Sequence, residues 1–280
     1  MPPLKFAVIG FPVRHSRSPG MQLAGFAAAG LDATYERVEV APGTLDATVA
    51  RFRAEGYRGW NITVPYKHDI IPLLDEVAGP EARAARSVNT VVNQGGRLLG
   101  YSTDGYGVEQ ALRHGLGLNA QPPRQLYLGA GGAASAAAVY AARHGAVAIA
   151  IANRTLARAE ELAAFVRQAA PTCAVSVLPL ADTPEMREAL QSTDIVFQCT
   201  SLGLHPGDPM PVPAEHIPAR VPVFDFVYTP SAFKDALRRQ GNPVGDGLDM
   251  LLYQGCRSFE LWTGRLAPVT AMRQGLLAQA

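Results

Sequence analysis

Short apolar runs of strand length recur along this chain: Lys5 to Ile9, Thr34 to Val40, Gly59 to Val64, Leu126 to Leu128, Val147 to Ala152, Val175 to Leu178, Asp194 to Cys199 and Val221 to Val227. Between them lie longer stretches that read as helices: Pro19 to Ala29, Thr44 to Ala54, a stretch from Tyr66, another from Tyr106, the Ala-rich segment after Gly132, Leu156 to Ala169, and Phe233 to Arg239. Strands alternating with helices predict an α/β fold with a mostly parallel sheet covered on both faces. Val88 to Val92 and Arg97 to Tyr101 depart from the alternation, because Asn93-Gln94-Gly95-Gly96 joins them as an antiparallel hairpin.

The chain is organised around Gln125 to Arg154. An apolar strand meets Gly129-Ala130-Gly131-Gly132-Ala133-Ala134, then an Ala-rich helix, then a second strand ending at Asn153-Arg154-Thr155. In a nucleotide fold the first glycine permits the tight turn, the second admits a pyrophosphate, and a small third residue, Ala134, lets the helix pack close to the sheet. The helix N-terminus then offers N–H groups to the phosphates. A glycine pattern alone also describes an ordinary βα turn. Here the second strand delivers Arg154 to the place where such folds read the adenosine ribose, with Arg158 one turn on. An acid there would accept from a 2′-hydroxyl, whereas arginine suits a 2′-phosphate, so the site is read as one for NADP.

Two domains follow from this: residues 1–105 with 246–280 as a mostly parallel α/β substrate-binding and catalytic domain, and 106–245 as a Rossmann-type NADP-binding domain. Asn119 to Pro123 reads as the connector. The final helices, Leu248 to Trp262 and Val269 to Leu277, exceed what a nucleotide domain needs and are expected to return to brace the first half. A cleft between two such domains is the expected place for a ligand.

Composition narrows the partners. Hydrophobic residues make up 48% of the 280 positions and charged residues 18%, which describes a globular chain with ample core. A net charge of +1 supplies no field for nucleic acid or anionic lipid, so an anionic ligand must be caught locally. No nucleic-acid or membrane partner is expected; a small-molecule substrate is, and a homodimer stays open. Cys173, Cys199 and Cys256 lie far apart, which fits a reduced compartment, and MPPLKFAVIG lacks the apolar core and cleavage site of a signal peptide. The expected location is the cytoplasm. The six histidines show no metal-ligand spacing, so no metal is expected.

Several polar runs are richer than loops require. Ser16 and Ser18, in His15-Ser16-Arg17-Ser18-Pro19, are hydroxyl donors beside a helix start and can hold a carboxylate, though Ser18 before Pro19 would equally make an N-cap. Asn61-Ile62-Thr63-Val64-Pro65-Tyr66-Lys67 closes a buried strand. Pro65 ends the ladder and leaves Lys67 at the sheet edge where α/β folds place ligands. A lysine there is often only a solvated one, and acid-base work needs a partner; Asp104, in Ser102-Thr103-Asp104-Gly105, is the candidate, with a helix cap as its simpler reading. Asn89, in Ser87-Val88-Asn89-Thr90, and Gln254, after Asp246-Gly247-Leu248-Asp249-Met250, offer amides to a polyol. Cys199-Thr200-Ser201-Leu202-Gly203 and Asp225-Phe226-Val227-Tyr228-Thr229-Pro230 end strands in the nucleotide half, where Thr200 and Tyr228 can reach the nicotinamide end. Core packing is the alternative for Met250, Phe226 and Tyr228.

Taken in order, GFPVRHSRSP, GWNITVPYK, SVNT, YSTDG, GAGGAAS, NRT, CTSLG and DGLDML with its following glutamine resemble the shikimate dehydrogenase family over nearly the whole chain. The resemblance implies reversible NADPH-dependent reduction of 3-dehydroshikimate to shikimate, a step of chorismate and aromatic amino acid biosynthesis. It implies Ser16, Ser18, Thr63, Asn89, Asp104, Tyr228 and Gln254 at substrate positions, with Lys67 and Asp104 as the catalytic pair. Asn153, Arg154, Thr155 and Arg158 match the NADP-reading motif, Gly129, Ala130, Gly131, Gly132 and Ala133 the phosphate turn, and Met250 the residue beside the nicotinamide. This chain departs from the family pattern at Trp60, Arg86-Ser87, Ser102 and Gln198-Cys199. The rivals are an NAD-preferring quinate/shikimate dehydrogenase, against which Arg154 and Ser18 argue, and a nucleotide-sensing module without activity, against which Lys67 and Asp104 argue.

Overall fold

The computed structural model describes residues 2–205 and 207–278, and the chain divides into two compact units: Met1–Gly107 with Leu251–Ala280, and Val108–Met250. The first unit carries strands β1 (Leu4–Gly10), β2 (Ala33–Glu39), β3 (Gly59–Ile62), β4 (Glu76–Val77), β5 (Thr90–Gln94) and β6 (Arg97–Tyr101) in one sheet of order β2-β1-β3-β5-β6-β4. β2, β1 and β3 run parallel, while β5 opposes β3 and β6 opposes β5. Two reversals bring β6 back to the direction of β3. Helices α1 (Ser18–Ala28), α2 (Leu45–Ala54) and the short α3 (Pro80–Ala85) accompany the sheet, and α4 (Asp104–Gly115) leaves it.

Strand parity assigns the two faces of this sheet. Ala7, Ile9, Trp60, Ile62 and Val91 point into a core with Val49 and Phe52 of α2. Phe6 points the other way and stacks on Phe26 of α1 at 4.6 Å. That second face is closed by α9 (Gly247–Thr263) and α10 (Val269–Leu277). Phe259 lies 5.4 Å from Phe26, and the Trp262 indole donates to the Val91 carbonyl at 2.8 Å. Trp262 occupies the space a β-carbon on Gly59 would need, 2.2 Å from its Nε1.

The second unit carries β7 (Arg124–Leu128), β8 (Ala148–Asn153), β9 (Ala174–Pro179), β10 (Ile195–Gln198), β11 (Val223–Asp225) and β12 (Val244–Asp246), all parallel, in the order β12-β11-β10-β7-β8-β9. Among the described residues, α5 (Gly132–Arg143), α6 (Leu156–Ala169), α7 (Pro184–Ser192) and α8 (Ala232–Gln240) lie in the connections, and a 3-10 turn, Ala214–His216, lies between β10 and β11. Ala134, Ala137, Ala138 and Ala141 form the buried stripe of α5, where small side chains bring helix and sheet close together. Strand order reverses between β7 and β10, the position where open α/β sheets bind ligands.

Three details depart from the sequence reading. β3 stops at Ile62 rather than Val64, because Pro65 has no N–H to continue a ladder. The stretch from Tyr66 forms turns and one 3-10 turn, Ile71–Leu73, rather than a helix. Ser18 is not the cap of α1: Arg17 holds that position and no side chain caps the helix. β4, α3, α7 and β12 were not anticipated. α7 had a readable start, since Thr183 precedes Pro184 and its Oγ1 accepts the Met186 N–H at 3.2 Å.

Candidate active site

Topology gathers the polar runs of the first unit at one sheet edge. Ser16 and Ser18 follow β1, Thr63 and Lys67 follow β3, and Asp104 follows β6, all at carboxyl ends of co-directional strands. β5 runs oppositely, so Asn89, just before it, reaches the same edge.

Lys67 Nζ lies 2.6 Å from Asp104 Oδ2, with the two side chains 13% and 4% exposed. The other carboxylate oxygen, Oδ1, accepts from Asn89 Nδ2 at 2.8 Å. Asn89 Oδ1 accepts in turn from the Thr103 N–H at 2.8 Å, and Asn89 Nδ2 stands 3.2 Å from Gln254 Oε1. The lysine backbone is tied to the same segment, because the Val88 N–H donates to the Lys67 carbonyl at 2.9 Å. Asp104 therefore has both oxygens engaged, and its carboxylate plane is fixed. A carboxylate held this way keeps the ammonium in one place, which an unrestrained surface lysine would not manage.

Behind this pair is a buried network that the sequence reading did not single out. Asn61 Oδ1 accepts from the Tyr35 hydroxyl at 2.8 Å, and its Nδ2 reaches the Asn89 carbonyl at 3.1 Å and Ser258 Oγ at 3.0 Å. Thr90 Oγ1 and Ser258 Oγ lie 2.8 Å apart. Burial drives the Tyr35 hydroxyl well above its ordinary pKa, opposed by a hydrogen bond with Ser18. The signal was available: Asn61 sits within the buried Gly59–Ile62 strand, where a polar side chain needs partners.

Ser16 is fixed through its backbone, with Arg37 Nε donating to its carbonyl at 2.7 Å and the Ser18 N–H pointing to its Oγ at 3.3 Å. The departures from the family pattern also find places. Trp60 packs edge-on against Phe52, at 5.2 Å, on the face opposite Asn61. Arg86 ends α3 in the left-handed region with φ 45°, a position that suits glycine. The buried Ser102 hydroxyl has no hydrogen-bond partner among the described residues.

The second unit likewise presents its candidates at strand carboxyl ends. Gly129 follows β7 with φ +111°, and a β-carbon there would lie 3.0 Å from the Cys199 carbonyl carbon and Thr200 nitrogen. Only glycine lets β7 and the turn after β10 approach this closely. A β-carbon on Gly131 would meet nothing within 4 Å, no side chain caps α5, and its first turn holds no acid. This open, backbone-lined helix start at the switch point, reached through Gly129, Ala130, Gly131, Gly132 and Ala133, fits a pyrophosphate. After β8, Asn153 Nδ2 donates to the Thr155 carbonyl at 2.8 Å, shaping a turn from which Arg154 and Arg158 project exposed. Gln198 Oε1 accepts from Thr200 N at 2.7 Å and Thr200 Oγ1 at 2.8 Å, so the longer amide of this chain pins the Thr200 turn. Tyr228 follows β11, and Met250 lies in the first turns of α9, 8% exposed.

Burial pushes the Asp225 carboxyl, at the end of β11, up to about 6, with the Val227 N–H and Lys234 pulling the other way. The folded state thus holds this proton more tightly than the unfolded chain, and Asp225 lowers stability as pH rises from about 4 to about 6, by about 3 kcal/mol in full. Asp225→Asn, which keeps the acceptor, should lose that slope. Parallel unfolding curves for variant and parent across this pH range would refute it.

Among the described residues, no His/Cys/Asp/Glu group can hold a metal, and no helix is long and apolar enough to cross a membrane. The three cysteines are free.

A chain that carries both a parallel sheet with a glycine turn at its switch point and a unit with a carboxylate-held lysine defines a dinucleotide-dependent oxidoreductase. Residues 8–91 match the shikimate dehydrogenase substrate binding domain, 116–204 the shikimate/quinate 5-dehydrogenase model, and 247–277 the shikimate 5′-dehydrogenase C-terminal domain. The chain belongs to the shikimate dehydrogenase family. It is 44% identical over 269 residues to the shikimate dehydrogenase (NADP(+)) of Moorella thermoacetica, covering 95% of this chain and 90% of the relative. Shikimate 5-dehydrogenase from Thermus thermophilus, solved in complex with NADP(H) and shikimate, is 33% identical with a TM-score of 0.87, covering 99% and 100% of the two chains. Quinate dehydrogenase from Corynebacterium glutamicum, solved with NAD, is 29% identical with a TM-score of 0.89 over the same shares.

Proposed function

We propose that this chain catalyses the reversible NADPH-dependent reduction of 3-dehydroshikimate to shikimate, with Lys67 as the proton donor. The observation that carries the reading is the 2.6 Å contact of Lys67 with Asp104, whose second oxygen is held by Asn89. When bound, NADPH supplies the hydride that the ring carbonyl carbon accepts. Lys67 gives its proton to the carbonyl oxygen as negative charge develops there, and in the reverse direction takes it from the hydroxyl. Asp104 holds the ammonium in position throughout.

Ser16 and Ser18 receive the ring carboxylate, and Thr63, Asn89, Gln254 and Tyr228 serve the ring hydroxyls. In the second unit the glycine turn from Gly129 to Ala133 takes the pyrophosphate. Asn153, Arg154, Thr155 and Arg158 take the 2′-phosphate, and Thr200 and Met250 the nicotinamide end. Three free, dispersed cysteines support a reducing, cytoplasmic setting.

Absorbance at the reduced-nicotinamide band, with shikimate or quinate crossed against NADP or NAD, tests substrate and cofactor together. Turnover confined to quinate and NAD would sink the reading. Ser16→Ala and Ser18→Ala should each weaken shikimate binding by about 1 to 3 kcal/mol, the penalty of an unpaired anionic oxygen, with NADP affinity unchanged. A drop in thermal midpoint with wild-type kinetics would assign both serines to the fold alone.

A further inference from the structure

Lys234 is a buried lysine that the proposed chemistry does not use. It lies in the first turn of α8, 1% exposed, and withdrawing an ammonium from water costs far more than burying an apolar side chain of that size. Burial pushes its pKa down, opposed by Asp225 and Asp246. Its Nζ donates to the Val227 carbonyl at 2.8 Å. From the other side, Asp225, also 1% exposed, accepts the Val227 N–H at 2.9 Å. Val227 is thus held at both of its backbone polar groups, one by a carboxylate and one by an ammonium. The next residue is Tyr228.

The loop is fixed at a third point. A β-carbon on Gly247 would lie 2.1 Å from the Phe226 carbonyl oxygen, so the loop rests directly on the first residue of α9, three positions before Met250. Charge-assisted bonds to a backbone carbonyl are stronger than neutral ones. An apolar residue at position 234 would fill the space and leave the Val227 carbonyl unanswered.

We infer that Lys234 is a positioning residue: it clamps the 225–228 loop, and through it sets Tyr228 and the Met250 turn for the reacting end of the dinucleotide and the ring. The inference rests on the proposed placement of Tyr228 and Met250 in the reaction. It concerns geometry at the reacting end only, so the adenosine end, read by Arg154 and Arg158, should not register the change.

The test compares the full chain with Lys234→Met and Lys234→Gln. In Lys234→Met, kcat should fall and KM for shikimate rise, their ratio dropping about tenfold or more, as small misplacements near a reacting centre do. The Kd of adenosine 2′,5′-bisphosphate, which engages only the adenosine end, should stay within about twofold of wild type, the range of an untouched contact. Amide exchange at residues 226–228 should quicken in the same variant. Lys234→Gln keeps a donor and should recover part of the loss; if Lys234→Met does not fold, Lys234→Gln against wild type is read on the same three measurements, with a smaller shift in the same pattern expected. Wild-type kcat/KM, or an equal loss of bisphosphate affinity, would overturn the clamp. Failure of the underlying reading shows separately, as wild-type protein that does not turn over shikimate with NADP.

Discussion

Lys67→Ala is expected to lower kcat by roughly 10² to 10⁴, while the directly measured dissociation constant for shikimate changes far less. The asymmetry follows from the site. Lys67 is held against Asp104 at 2.6 Å, and Asp104 is held by Asn89, so the carboxylate and the amides survive loss of the lysine. The ring keeps its proposed partners, and only the proton donor is removed. An interaction made only in the transition state lowers kcat and kcat/KM together. Lys67→His should return part of the rate with an altered pH profile, because an imidazole can also shuttle a proton. A near-normal kcat with weakened shikimate binding would make Lys67 a binding residue and leave the proton to water.

Arg154→Ala should raise KM for NADP by at least about tenfold and leave NAD nearly unchanged, since each charge-assisted bond to a phosphate is worth roughly 1.5 to 3 kcal/mol. Asn153 shapes its own turn through the Thr155 carbonyl, so removing the arginine side chain leaves the backbone of that turn in place. Steady-state kinetics with both cofactors decide the matter, and equal losses would mean that Arg154 supports the fold rather than reads the phosphate. The comparison has weight because a quinate dehydrogenase solved with NAD shares this fold at a TM-score of 0.89.

Most of the nucleotide unit was legible because its signals are local. The glycine turn, the α5 stripe and the α6 boundaries each follow from neighbouring residues, and α6 runs as its periodicity indicated, Leu156–Ala169, as does α10 of the first unit, Val269–Leu277. Elements of two or three residues, such as β4 and β12, have no period to read and exist because a neighbouring strand is there to pair with. Lys67 and Asp104 could be named from their places after strands. Asn61, Tyr35 and Ser258 could not be gathered in the same way, because their meeting depends on strand parity in β3 and on α9, nearly two hundred residues later. Lys234 was invisible for a similar reason. Within AFKDALRRQ it reads as one more charge on a helix, and only the folded loop after β11 shows the carbonyl it serves.

The ring cluster of the first unit has a consequence for how the chain is made. Phe6 and Phe26 leave a ribosome well before Phe259 and Trp262, which cover them. The whole of Val108–Met250 is translated in between. At roughly 5 to 20 residues per second, that interval lasts on the order of ten seconds or more. Throughout it the nascent β1–α1 face lacks its covering helices and exposes aromatic surface, and by its end the nucleotide unit has every strand it needs. Folding can therefore depart from the order of synthesis: the nucleotide unit can settle first, while the β1–α1 face waits for α9 and α10.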